Sequence, residues 1–369
     1  MTGVIVHDWL EKKDQGGGGS VKVAERFAAI YPDAPIFTLW NDDHIRFPPD
    51  RVTESWLAKT PLRKSKALSV PVMDAAWRTL PQLDADWVLC SSHAFAHHAR
   101  FAGAARDAPK FVYVHSPARY IWTPTVDRRG ASLAVRIASP PLRHLDRARA
   151  KEACSIAANS QYVKQRVENT WRRDAQVIYP PTDVSRFARK PLLAEAEEEL
   201  LDTLPQTFLL GASRFIEYKR LDLVIAAGSA ANLPVVLAGE GPYETSLRAL
   251  AATARIPVVF INRPSDELLH ALYQKALAFI FPAIEDFGLM PVEAMAAGTP
   301  VIGQLEGGVS ETVVDGLSGF LLEDFTPESL RAAIGRVPSL DRQAIVTRAH
   351  RFGEEEFSTA IKNWIDSDR

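Results

Sequence analysis

The chain has 369 residues, 47% hydrophobic and 24% charged, with a formal net charge of −2. That length exceeds what one hydrophobic core usually serves, so two domains are expected, and the composition is that of a soluble globular protein. The charge is divided unevenly: residues 1–180 hold 26 Lys and Arg against 18 Asp and Glu, whereas residues 181–369 hold 17 against 27. The first half therefore suits an anionic partner such as a membrane surface or a lipid diphosphate, and no recognised motif supports nucleic acid.

Residues 4–6 read as a buried strand. The acid that follows, Asp8, argues against a signal peptide. No membrane span is expected either, since the uncharged residues 223–239 are split by Gly228, Asn232 and Pro234. Cys90 and Cys154 lie far apart, which excludes a disulfide framework and a Cys-type zinc site and fits a reducing cytosol. A glycine run, Gly16-Gly17-Gly18-Gly19, precedes Ser20 as N-cap of a helix with Val23, Phe27 and Ile30 on one stripe. A glycine loop between strand and helix lets backbone approach a ligand phosphate. The run also looks like an engineered linker, but a linker has no purpose inside a strand–helix unit. The dinucleotide fingerprint fails because Val21 stands where its third glycine belongs. Asp42 and Asp43, after a strand at 35–40, can still mimic a ribose-binding acid, so a dinucleotide enzyme stays open.

Residues 56–78 set five cations against one acid, with Trp56, Leu57, Leu62 and Trp77 interleaved. That is the composition of a membrane-interface segment, or of an ordinary solvated loop and helix. Asp84-Ala85-Asp86 precedes a strand and reads as a turn. After the strand 86–90, Ser91-Ser92-His93 opens a turn, and His97-His98 read as surface residues because neighbours do not share a helix face. The strand 111–114 delivers His115-Ser116-Pro117-Ala118-Arg119-Tyr120-Ile121-Trp122 at its C-terminal end, where open α/β sheets bind ligands. Residues 128–151, with seven cations and one acid, read as a basic helix. A strand end at 155–160, a helix from 161 and a strand at 177–178 follow. Pro180-Pro181 and the change of charge sign then mark a domain boundary.

Residues 195–202 form an acidic solvated helix, and the rest alternates strand and helix, which implies a parallel doubly wound sheet. The strand 208–214 ends at Arg214, and Lys219 opens the next helix, so both can reach a phosphate. Strands at 235–238 and 258–263 end in Gly239-Glu240-Gly241-Pro242 and in Asn262-Arg263. After the strand 278–281 comes a turn with Glu285, Asp286, Phe287 and Gly288. Leu289 and Pro291 then begin a helix that Gly298 ends and Pro300 prevents from continuing. Backbone N–H groups at 288–290 favour an anion such as a diphosphate, and Glu285 and Glu293 flank them as acceptors for hydroxyls. Either acid is equally well read as a solvated or dipole-favoured residue when taken singly.

The string from Glu285 to Glu293 around Phe287-Gly288-Leu289, followed by Glu293-Ala294-Met295-Ala296-Ala297-Gly298-Thr299-Pro300, resembles the donor-site signature of family-4 retaining glycosyltransferases with the GT-B fold. His115-Ser116-Pro117, with Arg119, Tyr120 and Trp122, resembles a motif of bacterial family-4 sugar transferases, often mannosyltransferases of surface-polysaccharide assembly. Ser213-Arg214 with Lys219-Arg220 and Asp222 resembles the family's diphosphate clamp. The resemblance is weakest over residues 40–85. It implies an α/β chain of two Rossmann-like doubly wound domains across a cleft: residues 1–180, rejoined by a C-terminal helix at about 350–369, and residues 183–349 as the donor-binding domain.

The resemblance also implies roles. Arg214, Lys219 and the amides of Gly288 and Leu289 would neutralise the diphosphate, Glu293 would bind ribose, and Glu285 would hold the sugar hydroxyls. His115 would meet the sugar from the first domain, while Gly17 and Gly18 would approach donor phosphate or acceptor. Gly241 and Arg263 would wall the nucleotide pocket, Phe287 would also belong to the donor site, and the loops at Gly307-Gly308 and Asp315-Gly316 fit the family's later loops. It implies retention by front-face attack, no metal or other cofactor, and a nucleoside diphosphate sugar as donor substrate. By resemblance the donor leans to GDP-mannose. The basic first half favours a lipid-linked saccharide as acceptor, with peripheral contact at an anionic cytoplasmic membrane face. Rivals are a sugar-nucleotide 2-epimerase, transfer to a soluble small molecule, an NAD-dependent oxidoreductase and a catalytically silent sugar-binding partner.

Overall fold

A computed structural model describes residues 2–12, 18–123 and 133–367. The chain divides into two units, Met1–Pro181 with Glu355–Arg369, and Thr182–Glu354. The first unit holds a sheet of seven strands: β1 (Gly3–His7), β2 (Ile36–Thr38), β3 (Val52–Glu54), β4 (Trp87–Ser92), β5 (Lys110–Val114), β6 (Ser155–Ala158) and β7 (Gln176–Val177). All pair in parallel, in the order β3-β2-β1-β4-β5-β6-β7. A parallel sheet is covered on both faces, so its central strands are continuous apolar runs. Val4 and Val6 enter one core cluster with Met73, Trp77 and Val88, while Ile5 enters the other with Phe27, Leu89 and Phe111. The last helix, Glu354–Ser367, seals that second cluster with Phe357, Ile361, Trp364 and Ile365, spaced as one helical stripe. Trp364 Nε1 donates to Ser155 Oγ at 2.8 Å, which ties the helix to β6.

The second unit repeats the plan with six strands: β8 (Leu209–Ala212), β9 (Val235–Ala238), β10 (Val258–Ile261), β11 (Ala278–Phe281), β12 (Val301–Gln304) and β13 (Gly319–Leu322). Their order is β10-β9-β8-β11-β12-β13, again all parallel. In each unit the chain runs outward from a central strand and then returns to that strand's other side. The order reverses between β1 and β4 in the first unit, and between β8 and β11 in the second. Open α/β sheets bind ligands outside the carboxyl ends of the strands at such a reversal. Both units are therefore α/β and doubly wound, as expected. Among the described residues no helix is long and apolar enough to cross a membrane.

Several local expectations need correction. The first helix spans Gly19–Ile30 with Gly18, in extended backbone, at its N-cap, so Ser20 lies inside the first turn rather than capping it. His97 and His98 are buried, not surface residues. They share a tight 3₁₀ turn, Ala96–His98, whose rings meet at 88° and 4.5 Å, and both rings reach the buried Asp146. In the basic segment, Leu57 and Trp77 belong to the core and Leu62 packs on it, which leaves Trp56 and Leu68 exposed. Asp86 accepts a hydrogen bond from the Thr2 amide at 2.8 Å, a long-range tie to the start of β1 and not a turn contact.

Candidate active site

In the second unit several of the expected site residues collect at the reversal between β8 and β11. After β11 the chain turns through Glu285, Asp286 and Phe287 and enters the helix Leu289–Ala296. Gly288 is its N-cap at φ +88°, a left-handed value that glycine takes without penalty, and no side chain caps the helix start. Its first amides therefore offer donors to an anion. At the other end Gly298, at φ +81°, donates to the Met295 carbonyl at 2.9 Å and stops the helix where expected.

The expected helix start at Lys219 is displaced. Glu217–Lys219 is a 3₁₀ turn closed by Arg220 in left-handed backbone at φ 51°, and the helix proper is Asp222–Ala231. Lys219 consequently stands free of the helix, and its ammonium pairs with the Glu285 carboxylate. The two side chains are 12% and 22% exposed, so the pair is partly withdrawn from water yet open to a ligand. Arg214 lies in the same stretch, exposed and without an ion pair among the described residues. The Glu285 carbonyl accepts from the Gly308 amide at 2.8 Å, and a Cβ on Gly308 would sit 2.2 Å from the Phe287 Cα. The Gly307-Gly308 loop therefore shapes the Glu285 turn by direct backbone contact.

Other expected residues are placed differently. The Phe287 ring is buried, edge-on to Phe352 at 5.7 Å, so it supports the turn from inside. Leu289 is half-buried as the first helical residue, and Glu293 is half-buried one turn on. Gly241 allows the turn after β9 to lie on the β8 exit: a Cβ there would sit 2.4 Å from the Phe215 carbonyl oxygen. Arg263, 79% exposed, follows the edge strand β10 and donates to Glu240, which follows β9, at 2.6 Å.

In the first unit, His115 follows β5 and is buried. Its Nε2 lies 2.8 Å from Ser91 Oγ, which in turn lies 3.0 Å from His7 Nδ1. The Ser92 carbonyl accepts from the His115 amide at 2.8 Å, and Asn159 Nδ2 donates to the His115 carbonyl at 3.1 Å. His93 packs against Trp9 at 4.5 Å, His7 at 5.3 Å and His115 at 6.3 Å. Burial drives the His7 pKa down to about 3, with the neighbouring His93 adding to the effect. Burial likewise holds His115 well below its ordinary value. Gly18 caps the first helix, while Gly17 lies outside the described residues.

Sequence reasoning passed over Asp8, which the structure makes central. Its buried carboxylate accepts from the backbone amides of His93, Ala94 and Phe95 at 2.8, 2.9 and 2.7 Å. Three such bonds fix the turn after β4 and hence the position of His93. The signal was available: an acid directly after a buried apolar strand needs an internal partner.

A second buried network gathers His97, His98 and Asp146, whose ligand-type atoms lie within 4.8 Å of one another. Such a set can hold a metal, but its carboxylate is already engaged. Asp146 Oδ2 accepts from the indoles of Trp122 and Trp171 at 2.7 and 2.6 Å, and Oδ1 lies 3.1 and 3.2 Å from His97 and His98 Nε2. Burial alone would raise the Asp146 pKa; His97 and His98 outweigh it and hold the carboxyl well below its usual range. His98 bonds Asp146 and Asp74 through its two ring nitrogens, and these contacts overcome burial to raise its pKa. The arrangement is a charge hub joining the helix Leu133–Ala150 to the turn after β4.

Two family models match the chain: Glycosyltransferase Family 4 over residues 22–186 and Glycosyl transferases group 1 over residues 194–356. Between them they cover nearly the whole chain, which belongs to the family-4 type of glycosyltransferases. An alpha-1,3/1,6-mannosyltransferase of Neurospora crassa is 28% identical over 46% of this chain and 45% of its own. A GDP-mannose-dependent alpha-(1-6)-phosphatidylinositol monomannoside mannosyltransferase of Mycolicibacterium smegmatis is 26% identical over 56% of this chain and 57% of its own. The chain thus spans about half the length of the curated relatives it matches. HepE of Anabaena, crystallised with UDP and glucose, is similar over 99% of both chains with a TM-score of 0.69 at 18% identity, which shows a shared GT-B fold.

Proposed function

We propose that the protein transfers a hexosyl group, with mannose from GDP-mannose as the best-supported donor, to an acceptor hydroxyl with retention of configuration. The observation that carries this reading is the Lys219–Glu285 pair beside the open helix start at Gly288–Leu289, at the β8/β11 reversal. A diphosphate takes the place of Glu285 on Lys219 and gains Arg214 and the amides, while Glu285 is released to accept from sugar hydroxyls. Each charge-assisted hydrogen bond contributes about 1.5–3 kcal/mol. Stabilising the departing diphosphate is the electrostatic part of catalysis, which usually dominates. Glu293 takes the ribose hydroxyls, and these cations and amides carry the neutralisation without a metal. His115 bonds a substrate oxygen. The two named relatives favour mannose as the transferred sugar, and the basic charge of residues 1–180 favours a lipid-linked saccharide at an anionic membrane face.

A panel of nucleoside diphosphates and their sugars, read by thermal shift and by nucleotide release with and without acceptor, tests this reading. Stabilisation by GDP and GDP-mannose is expected, with release that requires an acceptor; no stabilisation by any nucleoside diphosphate would refute it. Release without acceptor would indicate a 2-epimerase, NAD binding an oxidoreductase, and binding without turnover a silent partner. An inverted anomeric centre in the product, seen by NMR, would remove retention, and loss of turnover in EDTA would remove metal independence. Vesicles with anionic lipid should retain the protein in a salt-sensitive manner if the acceptor is membrane-borne.

A further inference from the structure

His7, Ser91 and His115 form a hydrogen-bonded line across β1, β4 and the exit of β5. His7 and Ser91 are register partners at the β1/β4 reversal. Ser91 Oγ lies 3.0 Å from His7 Nδ1 and 2.8 Å from His115 Nε2. A hydroxyl has one proton to donate. It must therefore donate to one ring and accept from the other, so the two tautomers are coupled. His7 decides between them. Its Nε2 is buried and makes no hydrogen bond among the described residues. A proton on Nε2 would be an orphaned buried N–H, which is rarer in folded proteins than an unsatisfied acceptor. The proton thus belongs on His7 Nδ1, which donates to Ser91. Ser91 then donates to His115 Nε2, and the His115 proton lies on Nδ1. Burial lowers both pKa values, to about 3 for His7, so each ring carries a single N–H at neutral pH. Unlike His7 Nε2, His115 Nδ1 is not among the fully buried unpaired atoms, so a proton there can meet a partner from outside.

We propose that His7 and Ser91 are positioning residues that hold His115 as its Nδ1–H tautomer, so that it presents a hydrogen-bond donor, not a lone pair, to a substrate oxygen. The proposal rests on the glycosyl-transfer reading for the identity of that oxygen, but the tautomer itself does not. The remaining contacts fix the same geometry: Asp8 clamps the turn after β4, and Asn159 holds the His115 carbonyl.

The test uses the full chain with isotope-labelled imidazole nitrogens, assigned by comparison with His7→Asn and His115→Gln. NMR should show His115 with a protonated Nδ1 and a pyridine-type Nε2; a protonated Nε2 overturns the proposal whatever the activity. Ser91→Ala and His7→Phe should lose that signature and lower kcat about tenfold, the effect of one hydrogen bond, with the donor KM within about twofold. His7→Asn, whose amide nitrogen can replace Nδ1–H, should restore both. Failure of Asn to restore more than Phe does, with the fold intact by circular dichroism, also overturns it. A wild-type chain that turns over no nucleotide-sugar strikes at the proposed function instead, and NMR still decides the tautomer.

Discussion

The Lys219–Glu285 pair makes a prediction of unusual sign. Glu285→Gln should tighten the binding of a bare nucleoside diphosphate while slowing transfer from the nucleotide sugar. The carboxylate occupies the ammonium that the diphosphate needs. A diphosphate without its sugar gives Glu285 nothing in return, so the full cost of breaking the pair falls on binding. With side chains 12% and 22% exposed, the pair sits between surface and buried limits, and about 1 kcal/mol is a fair value. Removing it should tighten GDP about fivefold. Lys219→Met loses the phosphate contact itself, about 1.5–3 kcal/mol, or roughly tenfold to hundredfold in affinity. Isothermal titration of both single variants and the double variant closes a cycle. If the pair competes with the ligand, the gain from Glu285→Gln shrinks to less than about twofold once Lys219 is absent. Weaker GDP binding in Glu285→Gln, or an undiminished gain in the double variant, would refute the reasoning.

The other predictions test the scaffolding of the two sites. Gly308→Ala places a Cβ 2.2 Å from the Phe287 Cα, which forces the Glu285 turn to move. It should cost about 1–3 kcal/mol in urea unfolding and weaken GDP binding in titration. Asp8→Asn replaces a carboxylate that accepts three amides with a group that has a single acceptor oxygen. A loss of about 2 kcal/mol is expected, read as an earlier urea midpoint together with lower kcat. Stability should also fall with pH between 7.5 and 5.0. His7 is neutral in the fold down to about pH 3, whereas the unfolded ring protonates near 6.5, so the unfolded chain takes up protons across that window. By pH 5.0 this one ring removes about 2 kcal/mol. His98, with its raised value, works in the opposite direction. His7→Asn should flatten the slope between pH 6.5 and 5.0; an unchanged slope would show that His7 is not buried neutral.

What was legible in the sequence follows period and backbone chemistry. Runs such as Val4-Ile5-Val6 and Phe279-Ile280-Phe281 announced buried parallel strands. Gly288, Pro291, Gly298 and Pro300 announced the helix between them and its limits, because each solves a local backbone problem that has few other solutions. The Lys219–Glu285 contact was not legible. It spans 66 residues, and it depends on Arg220 taking a left-handed conformation that no pattern signals. His97 and His98 were misjudged because a shared helix face was taken as their only route to a common partner, whereas Asp146, 48 residues from His98, reaches both rings from another element. Asp8 and Ser91 were missed for a different reason. Their meaning depends on strand order, and strand order is a property of the whole sheet.

Strand order, once known, brings the missed residues and the expected ones under a single rule. In the second unit, β8 and β11 flank the reversal, and their exits carry Lys219 and Glu285. In the first unit, β1 and β4 flank it, and their ends carry His7, Asp8, Ser91 and His93. At a reversal the crossover connections leave on opposite faces, so the two strand ends there are left uncovered by helices and can admit polar side chains. This is why polar groups can sit at the ends of central strands that are otherwise largely apolar, and why the buried Asp8 has three amides to receive it. The same rule ranks the remaining expected residues. Arg263 leaves β10, an edge strand two places from the reversal, and pairs with Glu240 in solvent. Arg263→Ala should therefore change GDP affinity by less than about twofold, within the range of exposed ion pairs, while Lys219→Met exceeds tenfold. Comparable losses in the two variants would show that the reversal does not define the site.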